Sequence, residues 1–310
     1  MNTHVPLRTI LLATTLTDLD WLFPFACSLA EESGAQITVL HVITALNGFN
    51  VDLAGYPYYD PRDAIGAAEK HLQGYCANHC PSRIQSKVVA IDGTPAEGIL
   101  ATAKQISADA VVMGTRANRG VDKWLHGSVA EAVLRSSPIP VVTVGPHARQ
   151  WAASGLPIKS VLFATSLKGR ATDADNAKLT LKWAQRLGGH LTLLHVEPGK
   201  LKDGPAQEKD YQELLALLPE DAFRDGVADA EVRSGRVSRE ILAAGVHADL
   251  ITLGAQRNPM LGRLAPEGTL YQVLAEAHCP VATLHSEHSK IKPAILPIPG
   301  PSTPAGPATL

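Results

Sequence analysis

The stretch Ile10-Leu11-Leu12-Ala13-Thr14-Thr15-Leu16 recurs 151 residues later as Val161-Leu162-Phe163-Ala164-Thr165-Ser166-Leu167. A short apolar run with no polar alternation reads as a strand buried on both faces, the pattern of parallel sheets covered by helices. Three further stretches recur in the same order. Ala35-Gln36-Ile37-Thr38-Val39-Leu40-His41-Val42 returns as Gly189-His190-Leu191-Thr192-Leu193-Leu194-His195-Val196, an offset of 154. Ala108 to Gly114 returns as Ala248 to Gly254, and Pro140 to Val144 as Pro280 to Leu284, both at an offset of 140. Four matches in one order describe a single unit written twice. The shrinking offset places a deletion in the second copy, opposite the first copy's Thr44 to Asp60 stretch with its Tyr56, Tyr58 and Tyr59. Those tyrosines either pack, cover a site or dock a partner.

Helix-length segments separate the runs: Leu19 to Glu32 and Pro95 to Ser107 in the first copy, Ala171 to Leu187 and Ser238 to His247 in the second. The expected strands are 8–14, 36–43, 84–91, 109–114 and 140–144, then 159–165, 190–196, 227–234, 249–253 and 280–285. Strand and helix alternate, so the expected fold class is α/β: two tandem open five-stranded parallel-sheet domains, strand order 3-2-1-4-5. The expected boundaries are a first domain over 1–149, a linker over 150–157 with Gly155 and Pro157, and a second domain over 158–286. Residues 287–310 hold Pro293, Pro297, Pro299, Pro301, Pro304 and Pro307 among small residues and read as a disordered tail.

Composition narrows the function classes. With 45% hydrophobic and 19% charged residues in 310, the chain can bury two ordinary cores. A formal charge of -2 gives no basic surface for nucleic acid. No apolar run reaches the ~18–20 residues of a membrane span, and the start Met1-Asn2-Thr3-His4 is not a leader, so a cytoplasmic protein without membrane or nucleic-acid partners is expected. Cys27, Cys76, Cys80 and Cys279 are too few for a disulfide framework and are expected as reduced thiols.

In an open parallel sheet a ligand sits beyond the carboxyl ends of the strands, where the strand order reverses. The loops that matter begin at Thr14 and Gly114 in the first copy, and at Thr165 and Gly254 in the second. The first of the two fourth-strand loops reads Gly114-Thr115-Arg116-Ala117-Asn118-Arg119-Gly120-Val121-Asp122-Lys123-Trp124-Leu125-His126-Gly127-Ser128, and Val129 leads into a helix. This stretch resembles the G-x2-G-x9-G-(S/T) loop of the ATP-binding universal stress proteins, with Gly114, Ala117, Gly127 and Ser128 at the motif positions. The resemblance covers residues 5–145 and 157–285 and implies ATP with magnesium as a weakly held cofactor in the first domain. Glycines let backbone approach phosphate, and a helix opening at Gly127-Ser128 offers free N–H groups to an anion. The implied cofactor-binding residues are Thr14, Thr15, Val42, Gly114, Arg116, Ala117, Arg119, Gly127, Ser128 and Val129. Val42 stands where the family lines its adenine pocket, and strand-end packing accounts for it equally well.

The departures from the pattern are specific. Ala117 replaces the second glycine and adds a methyl group where positive φ is wanted. Thr15 and Ser166 stand where ATP-binding relatives commonly carry an aspartate, leaving the neighbouring Asp18 and Asp173 as substitutes or as plain helix-dipole complements. In the second copy Arg257 occupies the second glycine and Gly268-Thr269 arrives one residue late, so that site reads as degenerate. By the same resemblance, the fifth strands pair and the two copies pack as an internal pseudo-dimer, which removes two exposed sheet edges. Association of whole chains through edge strands, or with other protein partners, is the further expectation.

Other constellations read as structural. His71, Cys76, His79 and Cys80 crowd one segment, but Pro81 ends the helix there and the ligands come from one segment only, so no metal site is assigned. His41 and His195 close matching strands and read as hydrogen-bonded core groups. No G-x-x-x-x-G-K-(S/T), G-x-S-x-G or H-E-x-x-H occurs, and no catalytic residue is assigned beyond slow ATP hydrolysis at most. Two functions stand: a non-catalytic stress-response protein that binds an adenine nucleotide weakly, or a tandem scaffold for protein partners that binds none.

Overall fold

The computed structural model describes residues 7–44, 50–51, 57–58, 60–115, 129–199, 204–254 and 268–284. Strand β1 (Thr9–Thr14) is buried at all 6 positions, as a central strand under helices on both faces must be. It is followed by α1 (Leu19–Ser33), β2 (Gln36–Ile43), the two-residue antiparallel pair β3 (Asn50–Val51) and β4 (Pro57–Tyr58), and α2 (Pro61–His79). Then come β5 (Ser86–Asp92), α3 (Pro95–Gln105), β6 (Ala110–Gly114), α4 (Val129–Ser136) and β7 (Val141–Val144). Gly34 closes α1 at φ 65, where a residue with a Cβ is disfavoured. Asp60 opens α2 by accepting the Arg62 N–H at 2.8 Å, with Pro61 at the first helical position.

A 3-10 turn (Pro146–Ala148) and the short helix α5 (Arg149–Ala153) carry the chain across. The segment marked as a linker is therefore helical over part of its length. Its Trp151 packs edge-on against Phe25 of α1 at 6.1 Å, and the carbonyl of Leu156 accepts from the Ser28 hydroxyl at 2.7 Å. The unit then repeats as β8 (Ser160–Thr165), α6 (Arg170–Arg186), β9 (His190–Pro198), α7 (Gly204–Leu215), α8 (Glu220–Arg224), β10 (Ala228–Gly235), α9 (Val237–Gly245), β11 (Leu250–Gly254), α10 (Thr269–Glu276) and β12 (Val281–Leu284).

One ten-stranded sheet results, in the order β10-β9-β8-β11-β12-β7-β6-β1-β2-β5. Each half follows 3-2-1-4-5 with parallel neighbours, as expected, and the halves meet through their fifth strands. That single antiparallel pairing matches Val281 with Thr143, Ala282 with Val142 and Thr283 with Val141. Its two-fold character is visible in the side chains. The Thr143 hydroxyl donates to the Val281 carbonyl at 3.1 Å, and the Thr283 hydroxyl returns the bond to Val141 at 3.2 Å. Both hydroxyls are buried, so each must find an acceptor, and each finds it across the seam.

The recurrent Ala-Asp pair also has a structural duty. Asp109 Oδ2 accepts the N–H groups of Arg8 and Thr9 at 2.7 and 2.9 Å, and Asp249 Oδ2 accepts those of Lys159 and Ser160 at 2.8 Å each. The same carboxylate thus fixes the entry of the first strand in both halves. Apolar layers cover each face of the sheet and run across the seam. One joins Ile10, Leu12, Val142, Phe163 and Ala282, and the other joins Leu11, Val111, Val141, Leu162 and Val281. No helix among the described residues is long and apolar enough to cross a membrane.

Candidate functional site

The strand register brings the predicted residues of the first half to one edge. Thr14 lies level with His41 of β2, Ala13 with Met113 of β6, and Gly114 with Val144 of β7. Thr14, Val42 and Gly114 therefore end neighbouring strands on the carboxyl side, where the order reverses between β1 and β6.

The loop leaving β1 is tied by its own side chains. The Thr14 hydroxyl donates to Asp18 Oδ1 and accepts the Leu16 N–H at 3.0 Å. Asp18 also accepts the Thr15 N–H at 3.0 Å and the Thr15 hydroxyl at 2.8 Å. Both carboxylate oxygens are thus engaged locally, and Asp18 is 8% exposed. This arrangement holds Leu16 at φ 70, a region that a branched side chain rarely enters. The second half repeats the device: Leu167 has φ 58, its N–H reaches the Thr165 hydroxyl at 3.2 Å, and Asp173 Oδ2 accepts from Gly169 N–H at 3.0 Å. Asp18 and Asp173 act as loop caps. Thr15 itself is exposed, and Val129, the first residue of α4, is 36% exposed.

Val42 is half-buried and packs towards α3. A Cβ on Gly98 would lie 3.1 Å from its Cγ2 and 2.9 Å from Ile91 Cδ1, so the glycine is what lets α3 sit against these two side chains. Gly114 is more tightly covered: a Cβ there would overlap the ring of Trp21. The Arg149 guanidinium carbon lies 4.9 Å from the centre of that ring, and its Nη2 donates to the Thr115 carbonyl at 3.4 Å. Arg149 Nε is buried with no hydrogen-bond partner among the described residues. Trp21 and Arg149 thus flank the root of the Gly114 loop. The sequence does not announce either one. Trp21 sits in an unremarkable helix, and Arg149 lies past the last repeated strand, in the connector. Arg116, Ala117, Arg119, Gly127 and Ser128 lie outside the described residues.

In the second half a Cβ on Gly254 would come within 3.0 Å of Asn176 Nδ2 and 4.0 Å of Asp173 Oδ1. Asn176 is 2% exposed, and its Nδ2 has no partner among the described residues. A polar pair fills the place that Trp21 fills in the first half. Gly268 is the N-cap of α10, and Arg257 lies outside the described residues.

Both strand-end histidines are hydrogen-bonded, as expected; His195 is buried and His41 half-buried. His41 Nδ1 donates to the Thr14 carbonyl at 2.8 Å and His195 Nδ1 to the Thr165 carbonyl at 3.0 Å, so each locks the first strand's end to the second's. The cysteine and histidine cluster of α2 is split. His79 stacks on Tyr75 at 4.2 Å, and its Nδ1 donates to the Tyr75 carbonyl at 2.9 Å. Cys76 turns inward towards Cys27 and Cys80; burial is the leading cause that pushes its thiol up to about 11 and raises Cys27 further still. Such thiols stay protonated and are poor nucleophiles.

Comparison with known proteins matches this architecture half by half. The model of the universal stress protein family fits residues 6–145 and fits again over 158–285. The chain belongs to the universal stress protein family. A Staphylococcus epidermidis protein carrying the universal stress protein name is 24% identical over 132 residues, covering 41% of this chain and 76% of the relative. A solved universal stress protein from Archaeoglobus fulgidus DSM 4304 superposes with TM-score 0.64 at 20% identity, covering 90% of this chain and 97% of that one. The cytoplasmic domain of a prokaryotic cation chloride cotransporter covers 90% of this chain and 95% of its own at TM-score 0.50 and 9% identity. At that identity the likeness is one of fold alone, and the same fold serves unlike proteins.

Proposed function

We propose that this universal stress protein is a non-catalytic stress-response protein whose first half binds an adenine nucleotide, ATP with magnesium, weakly. The observation that carries the reading is the strand-end geometry of that half. Thr14, Val42 and Gly114 share one carboxyl edge, and the Gly114 loop ends at Gly127-Ser128 before α4. Arg149 stands at the root of that loop, and its Nε has no hydrogen-bond partner among the described residues, so its guanidinium is a cation placed beside the edge where phosphate oxygens would lie. The second half serves as a structural partner, since Asn176 and Asp173 crowd Gly254 and Arg257 breaks the motif.

One observation favours the rival reading of a protein scaffold without nucleotide. The acid that fixes the nucleoside in ATP-binding relatives is replaced by Thr15 and Ser166, and the nearest acid, Asp18, has both oxygens engaged within the loop. Thermal unfolding with and without magnesium-ATP separates the two, because a ligand of the native state must raise stability. At millimolar ATP the wild-type midpoint rises, Gly127→Asp abolishes the rise, and Arg149→Ala weakens binding by roughly tenfold. No rise in the wild-type protein leaves the scaffold.

A further inference from the structure

The two histidines that lock the strands are followed, two residues on, by different side chains. In the first half, the residue two places past His41 is Ile43, buried with Ala68 and Ala90 in an apolar cluster. In the second half the matching residue, two places past His195, is Glu197. Residues two apart on a strand share a face, so the His195 ring and the Glu197 carboxylate project together. Helix α7 lies against β9 and β10 and contributes Asp210. Where the first half has an apolar side chain two places past its histidine, the second half has a carboxylate, with a further carboxylate from α7 close by.

The three ligand atoms are spaced as metal ligands are, and His195 and Glu197 do not hydrogen-bond each other directly. A carbonyl can only accept, so the bond to Thr165 fixes the proton of the neutral imidazole on Nδ1 and leaves a lone pair on Nε2. That nitrogen lies 3.7 Å from Glu197 Oε2, beyond hydrogen-bond reach. One ligand atom from each of His195, Glu197 and Asp210 lies within 4.8 Å of the other two. Zinc with bonds of about 2.0–2.2 Å holds tetrahedral ligands about 3.3–3.6 Å apart, so modest movement of two carboxylates closes the set around an ion. His195 is 5% exposed and held by strand backbone, whereas Glu197 and Asp210 are half-buried and leave a route for entry. A buried imidazole oriented by a backbone carbonyl is the usual support of a metal-bound histidine.

We infer that His195 Nε2, Glu197 and Asp210 form a binding site for one divalent first-row metal ion such as zinc, with a further coordination position open to water or a small ligand. The donor set of one imidazole and two carboxylates suits zinc or manganese better than a soft ion that prefers sulfur. The site belongs to the second half alone and is independent of nucleotide binding in the first.

The test uses the full chain, stripped with a chelator, titrated with zinc by calorimetry and analysed for retained metal after gel filtration. Wild type is expected to bind one zinc ion per chain, and Glu197→Gln and Asp210→Asn each to weaken it tenfold or more with an unchanged circular dichroism spectrum. Cys80→Ser is expected to bind as wild type does. The inference is overturned if wild type retains no zinc, if either carboxylate variant binds at wild-type affinity, or if Cys80→Ser abolishes binding. That last result would place the ion among the first-half thiols. The alternative in which Glu197 pairs only with a protonated His195 gives the first of these outcomes.

Discussion

The two halves share a backbone plan and differ in what they place on it. Features that hold the fold are duplicated: the aspartate clamping the first strand, the threonine bracing a left-handed leucine, the histidine joining two strands and the threonine crossing the seam. Features at the carboxyl edge of the sheet are not duplicated. Trp21 covers Gly114 in one half, while Asp173 and Asn176 stand by Gly254 in the other, and Ile43 answers to Glu197. Duplication has therefore kept the scaffold under one constraint and released the edges to separate chemistry.

The largest expected effects test whether the halves are one cooperative unit. Phe163 is fully buried on β8, in the layer that also holds Leu12 and Val142. Phe163→Ala is expected to cost about 3–5 kcal/mol through lost burial and a residual cavity. Because that layer crosses the seam, calorimetry should show one transition moving as a whole. Two transitions, only one of them shifted, would mean that the ten-stranded sheet does not couple its halves.

Exchanging the diverged pair sharpens the contrast. Ile43→Glu puts a carboxylate among Ala68 and Ala90 and is expected to cost roughly 3 kcal/mol or more by urea unfolding. The reverse change, Glu197→Ile, is expected to stay within about 1 kcal/mol in metal-free buffer, since the site is half-open and an apolar side chain packs there in the other half. Equal costs in both directions would show that the trio is an ordinary ion pair with full structural weight.

A smaller asymmetry concerns the left-handed turn. The Thr14 hydroxyl both donates to Asp18 and accepts from Leu16, whereas that of Thr165 accepts from Leu167. Thr14→Val is expected to cost about 1–2 kcal/mol and Thr165→Val about half that, measured as shifts in urea midpoint at constant slope. The reverse order would mean that Asp18 re-forms its contacts without the hydroxyl.

The strands and the duplication were legible in the sequence because a doubly covered parallel strand leaves an uninterrupted apolar run, which few other structures leave. Beyond that the reading thins for physical reasons. The connector reads as linker because Gly155 and Pro157 break it, and the signal for its helical part is a single residue, Pro146 at the start of the turn. Trp21 and Arg149 meet Gly114 through tertiary packing between α1 and the connector, a contact with no local signature. The site formed by His195, Glu197 and Asp210 joins residues on a strand and a helix, at a spacing no linear motif encodes. The sequence marks His195 as a hydrogen-bonded group, and its Nδ1 is one. Only its second nitrogen, invisible without the fold, carries the further chemistry.

The effect absent at neutral pH concerns the buried thiols, and it too divides between the halves. Cys27 and Cys76 lie in the first half and Cys279 in the second, and burial is the main cause that raises each, Cys76 to about 11 and Cys279 to about 12. In the unfolded chain such thiols release their protons near pH 8.5. A group whose folded value is raised stabilises the native state fully below the unfolded value and loses that contribution as pH rises. Over pH 6–8 the urea midpoint should therefore be insensitive to these groups, and from about pH 9 upward it should fall as the unfolded chain sheds protons that the native state keeps. Tyrosines and lysines titrate in the same region, so the informative quantity is the difference from Cys27→Ala and Cys279→Ala. Each variant should flatten the alkaline decline, and the double variant should flatten it by the sum, because the two thiols lie in different halves. Unchanged slopes would mean that the native thiols ionise as readily as the unfolded ones and that burial does not hold their protons.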